Sequence, residues 1–118
     1  MSKRSSAVLL VDILEAINKI TGYIRDYTFE TFAGDTRTVD AVVRNLEIVG
    51  EASKKLPEDF RKSYPSIPWE SMAGLRNRIT HEYFGIDEFV IWKTASEELA
   101  PLIRDIAAIL EAEKDKER

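Results

Sequence analysis

Residues 76–83 read Arg-Asn-Arg-Ile-Thr-His-Glu-Tyr, which places the chain's one histidine with two arginines, an asparagine and a tyrosine inside about two helical turns. Histidine titrates near neutrality and can carry a proton, arginine offers a planar fork that matches a phosphate, and asparagine can orient either. These are the parts needed to cleave RNA by attack of its own 2′-hydroxyl on the adjacent phosphate, a route that needs no metal. Each residue alone has a plainer reading. His81 suits a satisfied, half-buried position, Tyr83 suits the core, and Arg78 with Glu82 suits a solvated pair four residues apart. With one histidine, no cysteine and no clustered Asp/Glu motif, a zinc or two-metal site fits poorly, and no metal or cofactor is expected.

Such a stretch can work only if rigid elements hold it. It lies between Pro68 and Gly85, a helix start and a helix stop, so one helix from Trp69 to about Phe84 is expected. On a wheel of about 100° per residue, Met72, Leu75, Ile79 and Tyr83 form an apolar arc. Glu70, Gly74, Asn77 and His81 form a second, polar stripe with a gap at Gly74, where a close approach by another backbone or a ligand is expected. Arg76 falls on the apolar side, where a charge needs a carboxylate, a phosphate or a route to water. Glu51 is the candidate carboxylate. Acid–base cleavage wants a group to take a proton and another to give one, and a symmetric dimer with the polar stripes facing would supply both from His81 and its copy.

Around it, apolar residues at Leu10, Ile13, Ile17, Ile20, Ile24 and Tyr27 predict an amphipathic helix over about residues 5–27. Phe29 and Phe32 should pin the following connection before Asp35 or Thr36 caps a second helix to about Leu56. That helix is apolar over so wide an arc that it should be sandwiched between two partners, and Gly50 permits close contact. A short helix after Pro57, an extended connector to Pro68, and a fourth helix capped by Asp87 complete the chain. The last carries Phe89, Trp92, Ala95, Leu99, Ile106 and Ile109 and should kink or restart at Pro101. The economical fold is all-α, an antiparallel four-helix bundle with a short extra helix.

At 118 residues the chain reads as one domain, 1–118, with a charged tail from about residue 113 expected to fray. Burying more surface by dimerisation would be natural at this size. The absence of cysteine removes disulfides and thiolate sites and fits a reducing cytoplasm. The apolar run near the N-terminus is broken at Asp12 and Glu15, too short for a signal core or a membrane span, so a soluble cytoplasmic protein with no membrane partner is expected. A net charge of −4 leaves nucleic-acid binding to local clusters such as Lys54-Lys55, Arg61-Lys62 or Arg76 with Arg78.

Arg76-Asn77-x-x-x-His81-x-Tyr83 resembles the R-x4-H-x-Y signature of HEPN-domain proteins, specifically the HepT-like toxin ribonucleases. Ile48-Val49-Gly50-Glu51-Ala52, Ile67-Pro68-Trp69 and Tyr83-Phe84-Gly85-Ile86-Asp87 resemble the same family's pattern, so the likeness spans most of the chain. It implies an all-helical, homodimeric, metal-independent endoribonuclease, the toxin of a type VII-like module whose antitoxin is an MNT-type minimal nucleotidyltransferase. It implies that Arg76 and His81 are the catalytic pair, that Asn77 is a supporting polar residue, and that Tyr83 is where the antitoxin attaches AMP. Glu51 joins the supporting residues as the expected partner of Arg76. The alternative is a noncatalytic HEPN module that binds a nucleotide or docks a nucleotidyltransferase in the same groove. A blander one is a structural dimer in which Arg76 and His81 pair with carboxylates.

Overall fold

A computed structural model describes residues 5–82 and 88–116, and for residues 80–82 the backbone alone. Among the described residues the chain is all-helical, with no β-strand. The first helix, α1 (Ser6–Tyr23), starts where the Ser5 hydroxyl accepts the Val8 N–H, satisfying one of the free donors of a helix start. Its stripe of Leu10, Ile13, Ile17 and Ile20 is fully buried. The helix ends four residues earlier than the apolar period, because the chain turns through Asp26 at φ 65°. Aspartate tolerates that left-handed region better than most residues. Ile24 and Tyr27 still reach the core from the turn, so the apolar spacing outlasts the helix that produced it.

The aromatic connection folds into a short helix, α2 (Phe29–Ala33), closed at its start by reciprocal bonds between Thr28 and Thr31. Phe32 is fully buried with its ring centroid 5.3 Å from that of Trp92. Phe89, expected in the core, is instead 45% exposed and meets the edge of Phe29 at 5.3 Å. It sits near the start of its helix, at the surface.

The long helix α3 (Thr36–Lys55) is capped by Asp35, whose carboxylate accepts from the Thr38 N–H. Val39, Val42, Leu46, Val49 and Ala52 are buried, and α3 packs against α1 on one side and against the helices of the functional stretch on another. This is the sandwiched position that its wide apolar arc predicts. After α4 (Glu58–Ser63), Phe60, Tyr64 and Trp69 form a ring cluster, and the Trp69 indole donates to the Tyr64 carbonyl at 3.0 Å.

The expected third helix is interrupted. It divides into α5 (Trp69–Ala73) and α6 (Leu75–Glu82) at Gly74. Gly74 has φ −79° and ψ −8°, so it stays on the right-handed side but leaves helical ψ. The poor helix propensity of glycine favours the break at this residue. The last segment begins with α7 (Glu88–Lys93); the cap expected from Asp87 lies outside the described residues. A π-turn over Thr94–Glu98 and a 3₁₀ turn over Ala100–Leu102 then lead into α8 (Ile103–Lys116). The restart expected at Pro101 is present and begins a turn early. Proline has no N–H to donate back, and the Leu99 N–H reaches five residues to the Thr94 carbonyl. α8 is helical through Lys116, past the point where the charged tail was expected to loosen, and Tyr64 and Lys116 both donate to Glu113. No described helix is long and apolar enough to cross a membrane.

Candidate active site

The position of Arg76 is set by a glycine on another helix. A Cβ added at Gly50 of α3 would lie 3.0 Å from the Arg76 backbone nitrogen and 3.2 Å from the Met72 carbonyl oxygen. Glycine is therefore what lets α5 and α6 lie directly on α3. At Gly74, by contrast, the nearest atoms that a Cβ would meet among the described residues of one copy are the Glu70 and Ser71 carbonyl oxygens, at 3.4 and 3.6 Å, which leaves that face open to a ligand or a second copy. The two glycines are near each other in the fold, and the tight one is Gly50.

With the backbone of Arg76 against α3, Met72, Leu75 and Ile79 bury the arc read from the wheel. The Arg76 side chain does not stay with them. It is 60% exposed, and its guanidinium donates to Glu51 Oε2 at 3.0 Å. The expected Glu51 pairing forms, but the arginine is not buried: its long stem carries the charge to water while the backbone stays packed. Glu51 also faces Lys55, at 3.7 Å, so one carboxylate bridges two cations.

This pair is the ridge between two grooves. On one side, a groove of about 280 Å³ runs over Gly50, Ala73 and Gly74 and is edged by Lys54, Arg61 and Asn77. Three members of the predicted polar stripe, Glu70, Gly74 and Asn77, line it. On the other side, a groove of about 350 Å³ is lined by Arg44, Glu47 and Lys55 of α3 and by Asp12 of α1. Position 81 lies one turn of α6 beyond Asn77; the His81 side chain and all of Tyr83 lie outside the described residues.

Sequence reasoning marked Arg61 only as part of a surface cluster. The structure puts it in the groove, 22% exposed, donating at 3.2 Å to a Glu70 that is 92% exposed. The two are joined across the proline-bounded connector, and no periodic pattern links them. Chemically, the arrangement offers an arginine fork and an amide at the mouth of a polar groove with further cations along its edge, which suits a phosphodiester chain.

The sequence model described as "Ribonuclease HepT-like" matches residues 13–109. Among curated relatives, "Probable ribonuclease HepT" of Thermococcus cleftensis is 48% identical over 100 residues, covering 85% of this chain and 91% of that protein. "Putative RNase MJ0127" of Methanocaldococcus jannaschii is 42% identical over 110 residues, covering 93% of this chain and 91% of that protein. "Putative RNase MJ1380" of the same organism is 38% identical over 109 residues, covering 92% of this chain and all of that protein. No solved structure matches the chain significantly. The matched region takes in α3, α5 and α6 entire, with Glu51, Arg76, Asn77 and His81 among its residues, and the chain belongs to the HepT-like ribonuclease family.

Proposed function

We propose that this chain is a metal-independent endoribonuclease of the HEPN type, acting as a homodimer and as the toxin of a type VII-like module with an MNT-type nucleotidyltransferase antitoxin. The observation that carries the reading is Arg76. Its guanidinium is held at the mouth of a polar groove beside Asn77 by the part-exposed carboxylate of Glu51, on a chain whose relatives carry ribonuclease names. An exposed pair of this kind is worth about 0–1 kcal/mol, so a substrate phosphate can take the place of Glu51.

In the proposed step, His81 accepts the 2′-hydroxyl proton as that oxygen attacks the adjacent phosphorus. The bond from phosphorus to the 5′-oxygen breaks, and the leaving oxygen takes a proton from the second histidine of the dimer. Arg76 offsets the charge that builds on the non-bridging oxygens. The products are a 2′,3′-cyclic phosphate and a free 5′-hydroxyl. Glu51 orients Arg76 between turnovers, and Asn77 supports the phosphate. AMP attached to Tyr83 by the antitoxin would add bulk and negative charge at the same place and exclude RNA.

Purified protein should cut RNA in excess chelator. His81→Ala and Arg76→Ala should each lower that rate by about 10²–10⁴-fold with unfolding transitions unchanged. Full activity in both variants would reject the reading. Intact-mass measurement after co-expression with the partner should show AMP on the wild type and none on Tyr83→Phe.

A further inference from the structure

Resting on that reading, we propose that the groove over Gly50, Ala73 and Gly74 is a phosphate subsite for the RNA strand next to the position being cut, with Lys54 as its principal cation. Charge separates the two grooves that share the Glu51–Arg76 ridge. The subsite groove sets Lys54, Arg61 and Arg76 against Glu51 and Glu70. Among the described lining residues, the opposite groove has Arg44, Lys55 and Arg76 with Asp12, Glu47 and Glu51. Three cations against two carboxylates among the described lining residues of the first groove favour a strand that carries one negative charge per nucleotide.

Within the first groove, the side chains are ready for an anion. Lys54 and Lys55 follow Glu51 by three and four residues and so leave α3 on its two flanks. Lys55 is held by Glu51 at 3.7 Å, whereas Lys54 is exposed and enters no ion pair among the described residues. Arg61 has its Nε buried and without a hydrogen-bond partner among the described residues, a donor left for a ligand to satisfy. Its outer nitrogen meets only the 92% exposed Glu70, a pair that opens at little cost. Gly50 is covered by α5 and α6, but Ala73 and Gly74 line the groove beside it, so there no side chain beyond a methyl keeps a sugar–phosphate backbone away. Because Arg76 and Asn77 form one wall, a phosphate held by Lys54 and Arg61 neighbours the one that Arg76 engages.

The test measures binding of single-stranded RNA by fluorescence anisotropy over a salt series in the His81→Ala background, where the RNA is not consumed. Lys54→Ala should weaken binding about fivefold to tenfold and flatten the slope of log affinity against log salt by about 0.7, the share of one phosphate contact on a single strand. Lys54→Arg should keep the slope. Lys62→Ala removes the same charge from a lysine already paired with Glu58 at 3.3 Å and should also keep it. An unchanged slope in Lys54→Ala, or an equal loss in Lys62→Ala, would overturn the subsite. Cleavage by the chain with His81 intact is read alongside. Cleavage with no Lys54 effect removes the subsite and leaves the ribonuclease reading; a Lys54 effect without cleavage does the reverse. A chain that binds no RNA overturns both.

Discussion

Asp35 accepts three hydrogen bonds: from Tyr27 Oη at 2.6 Å, from Thr38 Oγ1 at 2.7 Å and from the Thr38 N–H at 3.1 Å. The Tyr27 bond, then the two from Thr38, hold its carboxyl below the usual carboxylate range, since each favours the ionised form. A lowered folded value means that the unfolded chain binds the proton more readily. The stability from this cap is therefore fully present above about pH 4 and is lost as the pH falls through the folded value. Urea unfolding from pH 7 to 2.5 should show a steeper acid limb for the wild type than for Asp35→Asn, which keeps the cap without the charge. Parallel curves would mean that the carboxylate does not contribute. Glu113 adds to the same limb: burial alone would raise its carboxyl, but bonds from Lys116 and Tyr64 outweigh this and hold it low. The pairing of Glu51 with Arg76 was legible from residue types and a wheel. The exposure of Arg76 was not, because a wheel gives direction around an axis and not how far a long side chain reaches.

Among the elements, the two glycines make opposite predictions. At Gly50 an added methyl meets backbone atoms of α5 and α6 at 3.0 and 3.2 Å, which cannot swing aside as a flexible side chain would. Gly50→Ala should cost about 1–3 kcal/mol in urea unfolding. It should also shift the backbone of Arg76 enough to slow RNA cleavage on the order of 10²-fold. Gly74→Ala meets ordinary contact distances and an ordinary backbone, so it should raise stability by up to about 1 kcal/mol through helix propensity. A destabilised Gly74→Ala with a tolerated Gly50→Ala would reverse this account. The sequence showed that each helix exists and which face is apolar, since periods of three and four residues are local. It did not show which glycine would be crowded: Gly50 is squeezed by a segment more than twenty residues away, and only packing brings the two together.

For the whole molecule, the proposed chemistry needs two histidines and the chain has one, so activity should depend on association. Cleavage per protomer should fall on dilution through the concentration range in which sedimentation shows dimers becoming monomers. Constant specific activity across that transition would place a complete site in one copy. The helical class, the buried stripes of α1 and α3, a cap at Asp35 or Thr36 and the identity of the motif residues were all determined by the sequence. Each depends on neighbours within a turn or two of helix. Tertiary structure alone decided that the Arg76 side chain is exposed where it meets Glu51, 25 residues away, that Arg61 joins the groove, and that two grooves flank one ion pair. Those facts depend on how α3 and the broken helix around Gly74 lie against each other. That arrangement is set by the summed packing of the core, and no local pattern in the chain encodes it.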